Sequence, residues 1–223
     1  MKLSSSGIPY INITLQKGAQ RIDHKVLFDS GDIGGFFTLS LNKSNSRVVE
    51  TIAETEGASG DAGFHGFFGK QKHLLLNIPK LDISGTIFNN VIITATQGMK
   101  SRIGNRLLQY GKTTFDYKKK RFYFEPFDSI CTSKPVENPW TINYTYQNNK
   151  WVVGIIWDKT LESQINLGDE VLSINGIDVQ LMNFCELFML EIPDSDKMIY
   201  ELRDINTGAI KTVEIERMQL IKE

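Results

Sequence analysis

The sequence predicts a mainly β chain divided into two small domains. Three observations carry this: short β-prone stretches separated by turn residues recur from Ile8 to Phe124, the pattern dissolves between Phe127 and Pro139, and a different rhythm with one short helix follows. A chain of 223 residues is long enough for two domains of about 100 residues each.

The elements follow in order. Residues 8–15 alternate and are rich in β-branched side chains, and Lys17-Gly18-Ala19-Gln20 supplies a turn. A second strand begins at Lys25 and runs directly into Asp29-Ser30-Gly31. Residues 57–69 contain five glycines in thirteen positions. Short strands are expected at 74–78, 81–83 and 91–96, punctuated by Pro79, Ser84-Gly85 and Asn89-Asn90. Residues 113–115 and 121–124 flank a hairpin turn at 116–120, so the basic run from Lys118 to Arg121 reads as a solvated hairpin tip. Asp128-Ser129, Thr132-Ser133, Pro135 and Asn138-Pro139 mark residues 129–139 as a linker. Beyond it, 151–157 and 171–174 read as apolar strands, and 198–203 and 211–216 alternate around Asn206-Thr207-Gly208. The helix is expected at 183–190, with Phe184, Leu187, Phe188 and Met189 sharing one apolar face.

Composition excludes several classes of function. Hydrophobic residues at 41% and charged residues at 23% suit a globular protein, and a formal net charge of −1 supplies no broad attraction for nucleic acid or anionic lipid. No apolar run approaches the ~18–20 residues of a membrane span. Lys2 has no apolar stretch behind it, so no signal peptide is expected in the chain as written; the expectation is a cytoplasmic protein or one whose upstream segment has been removed. Cys131 and Cys185 stand far apart in different expected domains and read as two unrelated thiols. No Cys/His metal spacing occurs, and neither metal nor cofactor is expected.

Two constellations point to chemistry. The run Val26-Leu27-Phe28-Asp29-Ser30-Gly31 resembles the hydrophobic-hydrophobic-Asp-Thr/Ser-Gly signature of aspartic proteases. Arg102-Ile103-Gly104-Asn105-Arg106-Leu107-Leu108 resembles the Ile-Gly-Arg-Asn/Asp-Leu-Leu element of retropepsins, with the middle pair swapped. Thr113 to Tyr117 and Arg121 to Pro126 resemble the closing strands of the bacterial branch of that family, and the glycine-dense stretch falls where a retropepsin has its flap. The resemblance implies a retropepsin-like closed β lobe over residues 5–128, with Asp29 catalytic and Ser30 and Gly31 shaping its loop. In that family two close carboxylates share one proton and a water, one acting as base and the other as acid. This chain carries one such motif, so the second carboxylate is expected from a homodimer partner or from a preceding lobe. Asp32 stands where the family has a small residue, and a carboxylate there is expected to perturb the dyad unless it points outward. A rival reading makes Asp29 and Asp32 a calcium loop, but the third acidic ligand and distal glutamate of an EF-hand are missing. His24, His65 and His73 accompany no Ser or Cys nucleophile motif and are expected at surfaces or turns, His65 within the flap.

The second constellation, Ile165-Asn166-Leu167-Gly168-Asp169-Glu170-Val171-Leu172-Ser173-Ile174-Asn175-Gly176-Ile177-Asp178-Val179, resembles a PDZ domain, with Leu167 shifted toward Gly168 relative to the family pattern. It implies a PDZ-like α+β domain over residues 140–220, in which these residues are scaffold and the helix lines a groove for an extended peptide. The family's Gly-Leu-Gly-Phe carboxylate loop is not recognisable; the Tyr144-Thr145-Tyr146-Gln147 stretch or the Trp151-Val152-Val153-Gly154 stretch is expected in its place. Together the resemblances imply an aspartic endopeptidase acting on a peptide or protein substrate, with the second domain recruiting it. The alternative is a non-catalytic peptide-binding or scaffold protein.

Overall fold

The computed structural model describes residues 1–32, 35–40, 45–58, 62–63, 66–67, 70–96, 100–127, 139–190, 192 and 195–218. The expected linker, apart from Pro139, lies outside the described residues, as do Cys131 and His65. The chain is mainly β. It forms two compact units, one joining Met1–Ala53 with His73–Glu137 and the other joining Glu54–Lys72 with Asn138–Glu223.

In the first part of the chain the strands are β1 (Lys2–Leu3), β2 (Pro9–Lys17), β3 (Gln20–Phe28), β4 (Phe37–Ser40) and β5 (Glu50–Gly57), then the two-residue β6 (Ala62–Gly63) and β7 (Gly66–Phe67), then β8 (Gln71–Ile83), β9 (Thr86–Thr96) and β10 (Arg102–Ile103). A 3-10 helix at Asn105–Gln109 leads into β11 (Gly111–Asp116) and β12 (Arg121–Pro126). The large sheet runs β1-β2-β3-β10-β4-β9-β8-β5, and a further pairing of β2 with β8 folds it back on itself. Turn chemistry sets the registers. Ser84 and Gly85 both take positive φ, 56° and 89°, so Ile83 pairs with Thr86 across a two-residue turn.

Alternation then decides which side chains face inward. Ile11, Ile13 and Leu15 of β2 meet Ile78, Leu81 and Ile83 of β8 and Phe88, Val91 and Ile93 of β9 in one core. Each such side chain contributes about 1.5–3 kcal/mol by leaving water. The tip joining β11 to β12 holds exposed Lys118, Lys119 and Lys120, the solvated hairpin that the sequence predicts.

The second unit contains a closed six-stranded β-barrel. Its strands are β13 (Ile142–Gln147), β14 (Lys150–Ile156), β15 (Glu170–Ile174), β16 (Ile177–Asp178), β17 (Lys197–Arg203) and β18 (Ile210–Glu216). The order is β13-β14-β15-β17-β18 with β16 beside β15, and a bridge between Trp140 and Arg217 joins the two ends. Asn148 and Asn149 turn the first hairpin with φ of 51° and 61°. The core gathers Trp151, Val153, Ile174, Leu187, Tyr200, Leu202 and Ile215.

The helix is shorter than the sequence implies. α1 spans Phe184–Phe188, started by a capping box in which Asn183 accepts from the Cys185 and Glu186 N–H groups and Glu186 accepts from the Asn183 N–H. Leu187 is buried, whereas Met189 is 75% exposed, which corrects the expectation that it shares the apolar face. The reason is local: Met189 is the C-cap, so the helical period that would carry it inward has already ended.

Candidate active site

Asp29 stands immediately after β3, and its loop is held by a strand of only two residues. β10 runs parallel to β3 and antiparallel to β4, pairing Ile103 with both Phe28 and Phe37. The Asp29 N–H donates to the Ile103 carbonyl at 2.9 Å, and the Gly104 N–H donates to the Phe36 carbonyl at 3.2 Å. The 3-10 helix then begins against the same loop, where the Asn105 N–H donates to the Asp32 carbonyl at 3.0 Å. Gly104 is required here: a Cβ would run into the Gly35 carbonyl and lie 2.6 Å from the Asp32 carbonyl oxygen. The two retropepsin-resembling elements therefore meet backbone to backbone.

Within the loop the Asp32 N–H donates to the Asp29 carbonyl at 3.2 Å, and the Gly31 N–H donates to Asp29 Oδ1 at 3.1 Å. Gly31 is not in the left-handed region. A Cβ there would sit 3.3 Å from Asp29 Oδ1, so what this glycine secures is room beside the carboxylate. The Asp29 side chain is half-buried and Ser30 is exposed.

Asp32 is turned away from Asp29 chemically. Its Oδ2 takes the Arg102 Nε at 2.5 Å and its Oδ1 accepts the Gly35 N–H at 3.1 Å. Only 11% of the Asp32 side chain and 15% of that of Arg102 reach solvent, so the pair is largely desolvated and each charge depends on the other. Both residues are conspicuous in the sequence, one beside each motif, but nothing local in either motif signals that they pair.

Of the two described histidines, His73 departs from the expected surface position, and His24 is half-buried. His73, in β8, is fully buried with its Nδ1 3.1 Å from Thr96 Oγ1. His24, in β3, lies 2.8 Å from Ser101 Oγ, which also accepts the Ser40 N–H at 2.9 Å. Burial lowers the pKa of His24 below its ordinary value. A hydroxyl distant in sequence meets one ring nitrogen of each, Ser101 just before β10 for His24 and Thr96 in β9 for the buried His73.

In the barrel, the Gly168-Asp169 pair acts as a structural pin. Gly168 turns with φ of 92°, and Asp169, fully buried, accepts the Asn166 N–H at 2.8 Å and the Ile205 N–H at 2.9 Å while pairing with Lys211 Nζ at 2.7 Å. Lys211 also reaches Asp204 at 2.9 Å. The Lys211 hydrogen bond, followed by the Thr207 N–H, holds the Asp204 carboxyl well below the usual range. Tyr144 to Gln147 and Trp151 to Gly154 do not form loops; they are strands β13 and β14, paired with each other from Tyr144 opposite Val153 to Gln147 opposite Lys150. The expectation of a loop at either stretch is therefore corrected, because alternating residues of both pair in one antiparallel ladder. Trp151 Nε1 donates to the Met182 carbonyl at 2.8 Å and so ties β14 to the segment entering α1.

No protein-family model matches the chain, and no curated protein matches its sequence.

Proposed function

We propose that the loop around Asp29 is one half of an aspartic-type peptidase site, completed by a second such loop from a homodimer partner or a preceding lobe, and that the PDZ-like barrel recruits the peptide. The observation that carries the proposal is the loop itself: Asp29 is anchored through its backbone by β10, while its neighbour Asp32 is neutralised by Arg102. One carboxylate is left for chemistry beside an exposed serine. The ion pair also removes the objection that a second carboxylate in the loop would repel a dyad partner.

In the completed site one carboxylate removes a proton from water as its oxygen attacks the peptide carbonyl carbon. The other, protonated, carboxyl gives its proton to the carbonyl oxygen. Collapse of the resulting diol breaks the C–N bond, and the nitrogen leaves after taking a proton from the dyad. Gly31 leaves the space in which Asp29 meets its partner, and the Ser30 hydroxyl is available to brace the second loop.

The test is Asp29→Asn in the full chain, assayed on a peptide library with and without a candidate upstream lobe. Asparagine keeps the shape and accepts the Gly31 N–H, but it cannot carry the proton. Hydrolysis should fall by at least about a thousandfold with melting unchanged. Full activity in the variant refutes the aspartic mechanism, and a wild-type chain inert under all conditions supports the non-catalytic peptide-binding alternative.

A further inference from the structure

The Asp29 loop hangs on β10, a strand of two residues. Its ladder to β3 begins one residue upstream: the Leu27 N–H donates to the Ser101 carbonyl at 3.0 Å, and two residues on the Asp29 N–H meets the Ile103 carbonyl. A slip by one residue would break both bonds and turn Arg102 away from Asp32. So short a ladder gives little resistance to such a slip, and the register of β10 depends on how its entrance is held.

Ser101 holds that entrance on both sides. While its carbonyl is bonded to β3, its Oγ accepts the Ser40 N–H at the end of β4 at 2.9 Å. The residue is 8% exposed, so these bonds form away from water. A third contact reaches the same oxygen: His24 Nε2 lies 2.8 Å from it. His24 shares the inward-facing alternation of β3 with Val26 and Phe28. A serine hydroxyl has one proton to give and lone pairs with which to receive. With the Ser40 N–H on a lone pair, an uncharged imidazole is placed to take the proton and fix the rotation of the hydroxyl.

The surroundings favour the uncharged ring. Asp23 and Lys25 alternate to the exposed face of β3, and Ile13 stands opposite His24 on β2. Lys100, before Ser101, is exposed, and Arg102 is occupied by Asp32. Burial then lowers the pKa of His24.

We propose that His24 and Ser101 are positioning residues for Asp29: the neutral imidazole accepts the Ser101 proton, Ser101 clamps β3 to β4, and the clamp sets the register in which β10 presents the Ile103 carbonyl to Asp29. The catalytic consequence rests on the peptidase reading proposed above; the clamp itself does not. Both residues lie outside the two retropepsin-resembling motifs, Ser101 immediately before the second.

The experiment is a double-mutant cycle in the full chain with Ser101→Ala, His24→Leu and the two together. Leucine fills the space of the ring without supplying an acceptor. In each single variant the Asp29 and Gly104 amides should exchange at least about tenfold faster, while the β8–β9 ladder keeps wild-type protection. The double variant should exchange no faster than the quicker single, because either change already breaks the relay. In an active chain kcat should fall by about ten- to a hundredfold with KM within about twofold. Unchanged exchange at Asp29 and Gly104 overturns the clamp, and additive effects overturn the coupling of His24 to Ser101. Protection lost throughout the first unit in both single variants, or an unchanged kcat beside faster exchange, overturns the positioning role. Faster local exchange in a chain inert toward peptides sustains the clamp and counts against the peptidase reading alone.

Discussion

Replacing Asp32 with asparagine tests the ion pair on which the Asp29 loop is built. The Arg102 guanidinium would keep a neutral neighbour of the same shape but lose its counter-charge, with only 15% of its side chain in contact with water. Removing one partner of a buried pair costs about 3–5 kcal/mol, and the residual exposure of both groups brings the expected loss to about 2–3 kcal/mol. Against a domain stability of about 5–15 kcal/mol this is a large fraction. It should lower the melting temperature of the first unit by about 8 °C. The assay must report on that unit alone. Trp140, Trp151 and Trp157 all lie in the second, so tryptophan fluorescence serves as the internal control while calorimetry and exchange of the Asp29 and Gly104 amides follow the first. Arg102→Met should cost a similar amount, and the double variant clearly less than the sum, since neither charge is then stranded. A loss below about 0.5 kcal/mol for Asp32→Asn, or strict additivity in the double variant, would show that the pair does not hold the loop.

Two further outcomes follow from buried groups. His24 has a lowered pKa because burial penalises its charged form, so the folded state resists protonation. Stability from this group is present above the unfolded value near 6.5 and is lost as pH falls from there towards the folded pKa; His24→Gln should flatten that part of the first unit's stability profile, and an unaltered slope from pH 7 to 5 would exclude His24 as its source. Asp169→Ala should strip the Asn166 and Ile205 N–H groups of their acceptor and cost the barrel about 2–4 kcal/mol, read as an earlier urea midpoint in tryptophan fluorescence; an unmoved midpoint would deny the pin.

The sequence by itself determined the local elements. Period-two alternation in residues 8–15, glycine and asparagine at Ser84-Gly85 and Asn175-Gly176, and the hairpin around 116–120 each act through backbone dihedrals and side-chain direction over a few residues, and these recur as β2, the β8–β9 turn, the β15–β16 turn and β11–β12. It also placed Asp29 at a strand end and Gly168-Asp169 at a turn, because those positions are fixed by their immediate neighbours. Tertiary structure decided the rest. His73 lies inside and His24 is half-buried, each meeting a hydroxyl, Thr96 or Ser101, from a segment distant in sequence. Asp32 finds Arg102 across 70 residues only once β10 has entered between β3 and β4. The glycines at 57 and 154 read separately as a loop and a strand, and the reason for both appears only where the two backbones cross. Alternation specifies which way a side chain points relative to its own strand; what it then meets depends on sheet order, which leaves no local mark in the chain.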